Sequence, residues 1–268
     1  MKIWLVIPTY NEAANIASLL AALFDLPLDL SPHLLAGCWP CKSESASHSS
    51  IPVARPRDIL GRCGDLSVVV VDDNSPDQTA AQVKLLQEKY PGLYLVKRPR
   101  KLGLGSAYRA GFKFALEHGA EVVGEMDADW SHSPSDVLRL VAAFRSGAEV
   151  AIGSRRIKGG QIIGWAWYRH FMSFGATTFA RLVLGLKTRD ITAGFRLYTK
   201  GALNKIPWQS VQSDGYAWQE EMIFLCERAR LKIIEVPVIF KDRQQGKSKL
   251  KLKDVIEFFV NIFRLRLK

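Results

Sequence analysis

Apolar residues in this chain fall in short blocks that alternate between two periods. Lys2–Ile7 is an apolar run closed by Pro8, the pattern of a buried strand. Glu12–Phe24 then shows helical spacing through Ile16, Leu19, Leu20 and Leu23. The alternation continues with a strand over Ser67–Val71, a helix over Gln78–Tyr90 and a strand over Leu93–Val96. A helix over Ser106–Glu117, a strand over Val122–Met126 and a helix over Ser135–Phe144 follow, the last behind a helix-starting Ser133-Pro134. Val150–Ile152 reads as the next strand. Strands that alternate with helices predict βαβ units: an α/β fold with a mostly parallel sheet and helices on both faces.

The second half is less regular. Trp165–Leu184 is aromatic-rich and reads as helix, Tyr216–Glu227 as helix and Lys232–Phe240 as one strand. Leu252–Phe263 has the spacing of an amphipathic helix. One stretch breaks the rhythm. Pro27–Asp65 is rich in Ser and Pro and has no period, so it reads as an irregular insertion. The expected organisation is one domain over residues 1–250, with 27–65 inserted, and a C-terminal amphipathic helix over 251–268.

Composition narrows the class. The 268 residues are 48% hydrophobic, enough for a large core. No run reaches the ~20 apolar residues of a membrane helix, and the N-terminus does not read as a signal peptide. A cytoplasmic protein that touches membranes from the side is expected. The net charge of +11 suits an anionic partner. Nucleic acid is not the expected one, because the basic residues are scattered and no recognition helix or RNA-binding strand motif appears. Cys38 and Cys41 form a CxxC pair, and Cys63 with His33 or His48 would complete a zinc set. A second clean ligand pair is missing, so they read as reduced thiols in a loop.

Candidate chemistry gathers where strands end, which is where open α/β sheets bind ligands. Pro8-Thr9-Tyr10-Asn11-Glu12 follows the first strand and Asp72-Asp73-Asn74-Ser75-Pro76-Asp77 the second. Asp127-Ala128-Asp129 follows the strand over 122–126. At i and i+2 on extended backbone, Asp127 and Asp129 can point the same way. Converging carboxylates favour a hard divalent cation shared with substrate phosphates. Taken alone, two solvated loop aspartates explain the pattern equally well. Asp72 suits a nucleoside at a strand end, and equally a turn or cap with Asn74, Ser75 and Asp77. Lys101-Leu-Gly-Leu-Gly105 reads as a tight turn rather than a phosphate cradle. Arg155 lies past a strand, and Arg169 and Ser173 share a helix face at i, i+4, a set suited to a phosphate monoester, although composition alone favours ordinary surface basic residues. Arg243, Lys247 and Lys249 sit in a basic loop that reads either as able to close over a diphosphate or as a solvated turn.

Together these residues make the chain resemble the polyprenol-phosphate (dolichol-phosphate) mannosyltransferases among the family 2 glycosyltransferases. The landmarks are Val6-Ile-Pro-Thr-Tyr-Asn-Glu12, Val71-Asp-Asp-Asn-Ser-Pro-Asp-Gln-Thr79, Gly103-Leu-Gly-Ser-Ala-Tyr108 and Met126-Asp-Ala-Asp-Trp-Ser-His132. Gly153-Ser-Arg155, Thr192-Ala-Gly-Phe195, Asp242-Arg243 and Gly246-Lys-Ser-Lys249 complete them. The resemblance implies a GT-A, Rossmann-like fold and transfer of mannose from GDP-mannose to a polyprenyl or dolichyl phosphate with inversion.

It also implies roles by position. Pro8, Tyr10, Glu12, Val70, Asp72 and Ala128 would hold the donor, with Arg243 and Lys249 closing on its phosphates. Asp127 and Asp129 would bind Mg2+ or Mn2+, and Arg155, Arg169 and Ser173 the acceptor phosphate. Some relatives carry Gln as a further metal ligand where this chain has the shorter Ser131. The expected place of work is the cytosolic face of a membrane, with a separate membrane subunit as a candidate recruiter. Two other readings stand beside it: the same fold using UDP-glucose, and a non-catalytic nucleotide-sugar binding module.

Overall fold

A computed structural model describes residues 1–27, 66–211, 213, 216–242 and 252–267. Nearly all of the expected insertion over 27–65, with its Cys and His residues, and the basic loop carrying Arg243 and Lys249 lie outside the described residues.

The elements run β1 (Ile3–Thr9), α1 (Ile16–Phe24), β2 (Leu66–Asp72), α2 (Thr79–Leu86), β3 (Leu93–Lys97) and α3 (Leu104–Glu117). Then come β4 (Val122–Glu125), α4 (Asp136–Ala143), β5 (Val150–Ser154), β6 (Gln161–Ile163), α5 (Trp167–Leu184), β7 (Arg196–Thr199) and α6 (Lys200–Asn204). The described chain ends with α7 (Tyr216–Arg228), β8 (Ile233–Pro237), β9 (Ile239–Lys241) and α8 (Leu252–Arg266).

Seven strands form one sheet in the order β3-β2-β1-β4-β7-β5-β8. All neighbours are parallel except β7, which runs antiparallel to both β4 and β5. Strand alternation sends Trp4, Val6, Val69 and Val71 into one core, against Tyr108 and Phe112 of α3. It sends Ile3, Leu5, Ile7, Val68 and Val70 into a second core, against Leu19, Leu20 and Leu23 of α1. The sheet is therefore covered on both faces, as its near-continuous apolar strands require. Gly111 lets α3 settle onto β1: a Cβ there would stand 2.2 Å from Val6 Cγ1.

The expected single strand over Lys232–Phe240 is two. β8 joins the large sheet beside β5, while β9 leaves it to pair with β6 in a separate two-stranded ribbon. The crossing falls at Val238, whose N–H donates to Ser154 O while its carbonyl accepts from Gln161 N. A second correction concerns Pro8. β1 continues through it to Thr9, because Pro8 falls where the β4 ladder has already ended at Val6. Val6 O accepts from Met126 N on the β4 side. By strand parity the N–H that proline lacks would face that same side, so no ladder bond is lost. α1 also starts later than its periodicity suggests, at Ile16, because residues 11–13 are tied to the loop after β2.

Candidate active site

The carboxyl ends of β1, β2 and β4 form one edge, and their loops are stitched together. Thr9 Oγ1 donates to Asp72 Oδ2 at 3.0 Å, and Ser75 N donates to Asp72 Oδ1 at 3.0 Å. Asn11 N donates to Ser75 Oγ at 3.1 Å. Further along, Thr79 Oγ1 accepts from Glu12 N at 3.0 Å, and Asp77 accepts from Ala13 N at 3.0 Å and from Thr79 N at 3.1 Å. Burial pushes the Asp77 carboxyl up, but the Thr79 hydroxyl and the two backbone N–H groups outweigh it and hold the pKa below the ordinary value. The turns need left-handed backbone at Asn11, Asn74 and Gln78, and the first two are of the type that tolerates it.

Asp73 turns instead to the loop after β3. It is buried, pairs with Arg98 and accepts from Leu102 N at 3.1 Å. Arg98 Nη2 in turn donates to Gly103 O at 3.1 Å. Gly103 has φ +94 and opens α3. The Lys101–Gly105 stretch is thus the entry to α3, whose first residues are Leu104 and Gly105, rather than the tight turn its sequence suggests.

Asp127 and Asp129 follow β4 on the same edge. Asp127 is the more open, with its side chain 31% exposed, while Asp129 is buried and accepts from Ser131 N at 3.1 Å. Gly194 faces Asp127: a Cβ there would lie 3.1 Å from Asp127 Oδ2. The buried Ser131 Oγ has no hydrogen-bond partner among the described residues. Two carboxylates, a small opposing residue and an orphaned hydroxyl suit a hard divalent cation that completes its shell with phosphate oxygens and water. Among the described residues no cluster of three or more His, Cys, Asp or Glu forms a ready-made cage.

Beneath this pair lies a buried polar floor. Trp218 Nε1 donates to Glu125 Oε1 at 2.9 Å, and Arg196 donates to Gln219 O and Ile191 O. Burial pushes Glu125 up to about 7 against the pull of Arg196 and Trp218, and pushes Glu220 up to about 8 against Asn261 and Arg196. Beside the pair, buried His132 lies with Nε2 3.7 Å from Asp127 Oδ2 and packs on Phe195 and Phe240.

Phe240 leads to the arginines. The Arg155 guanidinium lies over Phe240 at 5.3 Å, and Arg169 lies over Trp165 at 4.0 Å, whose ring meets Phe240. Asp190 holds Arg155 through two side-chain bonds, and Asp242 accepts from Arg169 at 3.0 Å. Ser173 contacts a neighbour that the sequence did not single out: Arg156 Nη2 donates to Ser173 Oγ at 2.7 Å. Asp190, Arg156 and Gly194 were all missed. Asp190 and Gly194 flank or lie within the Thr192–Phe195 landmark, the one signal that could have found them.

Of the expected donor residues, Pro8, Tyr10, Glu12, Asp72 and Ala128 reach the edge. Tyr10 is 40% exposed and carries Lys101 over its ring at 4.3 Å. Val70 does not reach it: it sits two residues inside β2 with its side chain in the core.

A largely parallel sheet with an acidic pair at its carboxyl edge and arginines alongside is the GT-A-like layout expected from the sequence. The Glycosyl transferase family 2 model matches residues 57–207, more than half of the chain, and the chain belongs to that family. It is 36% identical to the undecaprenyl-phosphate mannosyltransferase of Micrococcus luteus, over 98% of this chain and 93% of that one. It is 40% identical to the polyprenol monophosphomannose synthase of Mycolicibacterium smegmatis, over 74% of this chain and 77% of that one. Among solved structures, a mannosyltransferase from Pyrobaculum calidifontis in complex with GDP-Man and Mn2+ superposes with TM-score 0.55 at 18% identity, covering 98% of this chain and 64% of that one. The glucosyl-3-phosphoglycerate synthase of Mycobacterium tuberculosis with Mn2+ and UDP-glucose gives 0.61 at 16% identity, covering 99% and 79%. These two likenesses bear on the fold.

Proposed function

We propose that this glycosyltransferase moves mannose from GDP-mannose to a polyprenyl or dolichyl phosphate, giving a β-mannosyl phosphate lipid. The observation that carries the reading is the run of contacts from Asp127 through His132 and Phe240 to Arg155, which sets an acidic cation site beside a fixed guanidinium. The names of the relatives from Micrococcus and Mycolicibacterium support the mannosyl donor sugar and the lipid phosphate acceptor.

In this reading Pro8, Tyr10, Glu12, Asp72 and Ala128 hold the nucleoside end of the donor, with Val70 supporting from below. Asp127 and Asp129 would hold Mg2+ or Mn2+, which would supply charge stabilisation for the departing diphosphate. Arg243 and Lys249 close on the donor phosphates. Arg155, Arg169 and Ser173 position the acceptor phosphate, and Asp190 fixes the plane of Arg155. A phosphate oxygen of the acceptor forms the new bond to C1 of mannose as the bond from C1 to the GDP oxygen breaks, with inversion. The attacking oxygen is already anionic, so positioning matters more than proton removal.

The acceptor's tail and the exposed apolar surface of α5 support a peripheral station on a membrane; the cytosolic face and a membrane subunit as partner are part of the proposal. Trp167 and Phe171 are 81% and 75% exposed. Among the described residues no helix is long and apolar enough to cross a membrane. α8 packs against α5 through Phe179 and Phe259, and leaves Val260, Phe263 and Leu267 exposed beside it.

Donor choice tests the reading. Purified protein is given short polyprenyl phosphate with GDP-mannose or UDP-glucose in parallel, and the lipid product is analysed by NMR. A β-linked mannosyl phosphate from GDP-mannose alone is expected. Glucosyl lipid from UDP-glucose would replace the donor.

A further inference from the structure

Next to Ser173, which accepts from Arg156, the structure holds a second basic site. A pocket of about 330 Å3 is lined by Arg156, Phe174, Thr177, Thr178, Arg181 and Arg189. Three arginines line it, Arg156 close enough to Arg181 to feel its charge, and no carboxylate lines the pocket. The acids nearest in sequence are already engaged. Asp190 is held by Arg155, and Glu235 accepts from the backbone N–H groups of Arg189 and Asp190. Arg156 Nε and Arg181 Nε are buried and have no hydrogen-bond partner among the described residues. Burial, helped by the charges of Arg155 and Arg181 and opposed by Asp190, pulls Arg156 below the usual guanidinium value. Charges packed this way repel one another unless an anion joins them.

The surroundings say what kind of anion. Phe174 forms one wall of the pocket and is 62% exposed, with the Arg156 guanidinium 5.9 Å from its ring centre. Phe171 and Leu182 stand exposed on the same helix. Thr177 and Thr178 line the pocket with the arginines, and hydroxyl and guanidinium donors together suit phosphate oxygens. A phosphate whose carrier is apolar would satisfy both the arginines and the bare helix.

We propose that this pocket binds the phosphate of an anionic membrane lipid, separate from the lipid phosphate that receives the sugar, and so seats α5 on the bilayer. The proposal rests on the peripheral-membrane reading above and gives it a specific contact.

The test is co-sedimentation of the full chain with phosphatidylcholine vesicles, with and without phosphatidylglycerol. The wild type is compared with an Arg181→Gln/Arg189→Gln variant and with an Arg264→Gln/Arg266→Gln variant, whose arginines are exposed on the last turn of α8. A basic residue near an anionic surface is worth about 1 kcal/mol, so two removed charges cost about thirtyfold in affinity if they act directly. The pocket variant should lose its preference for phosphatidylglycerol by about that factor, and the α8 variant by clearly less. Equal losses would mean diffuse attraction and overturn the proposal. Inorganic phosphate is titrated calorimetrically in a second arm. Binding of phosphate that the pocket variant loses, with no vesicle preference in the wild type, would assign the pocket to a free anion instead. Sugar transfer to detergent-dispersed polyprenyl phosphate is measured on the same preparations. It should be unchanged in the pocket variant, and a parallel fall would place the pocket in the acceptor site. Absence of transfer in the wild type would sink the proposed reaction and leave the vesicle comparison intact.

Discussion

Asp190 grips Arg155 from two directions. Its Oδ2 accepts from Arg155 Nε at 2.7 Å and from Arg155 N at 2.8 Å, while Oδ1 accepts from Nη2 at 2.6 Å. Both side chains are buried, and the Arg155 guanidinium and its bonds hold the Asp190 carboxyl below its ordinary value although burial pushes it up. An arginine held at backbone and side chain cannot choose its own rotamer. Asp190→Asn should therefore raise KM for the lipid acceptor by about tenfold, with donor KM little changed. It should also cost about 3 kcal/mol of stability, because a buried charge loses its partner. Steady-state kinetics in each substrate and a urea melt check the two effects separately.

Gly194 sets the room around Asp127. Its φ is not left-handed, so Ala is acceptable to the backbone, but the added methyl would press Asp127 Oδ2 at 3.1 Å. Gly194→Ala should leave the melting temperature near that of the wild type and raise the metal concentration for half-maximal activity. A loss on the order of tenfold in kcat/KM is expected, less than the roughly hundredfold that a full ångström of misplacement can cost. An unchanged metal titration would remove Gly194 from the cation site.

Asp72 joins the ends of two strands as well as facing the donor edge. Asp72→Ala leaves the Thr9 hydroxyl and the Ser75 N–H without their acceptor. A destabilisation of about 1–3 kcal/mol is expected, together with a raised KM for the nucleotide sugar. Thermal melts with and without GDP separate the two. If the variant is destabilised but gains the same melting shift from GDP, Asp72 is structural alone.

Stability should fall as pH rises through the neutral range. Glu125 and Glu220 have folded values of about 7 and about 8 against 4.5 for an unperturbed carboxyl. The folded protein therefore binds more protons than the unfolded chain between these values. The stabilisation is complete below about pH 4.5 and is lost as pH passes 7 to 8. A Glu220→Gln variant should show a flatter melting temperature between pH 5 and pH 8 than the wild type. An identical slope would mean that Glu220 is already ionised at the low end.

Much of this arrangement was legible in the sequence, for a physical reason. Buried parallel strands are apolar throughout, so the polar clusters at residues 8–12, 72–77 and 127–129 stand out where strands end. What escaped was non-local. β7 has four residues, Arg196–Thr199, and its Arg196 is buried because it caps carbonyls of Gln219 and Ile191. No local period marks such a strand. Asp190 reads as an ordinary loop acid until Arg155, 35 residues away, is folded against it. Arg156 and Arg155 are adjacent, and only the turn after β5 decides which one meets Ser173. The split of residues 232–240 depends on β6, which has too few residues to announce itself.

The central claim is metal-dependent sugar transfer at the Asp127–Asp129 edge. Its most direct test uses purified protein, short polyprenyl phosphate, radiolabelled GDP-mannose and Mn2+ or Mg2+, and counts label in the lipid phase. Wild-type protein should move label into lipid, lose this with EDTA and regain it with added metal. Asp129→Ala, with an unchanged circular dichroism spectrum, should lose activity by about a hundredfold or more. Equal transfer by wild type and Asp129→Ala, or transfer that persists in EDTA, would contradict the account.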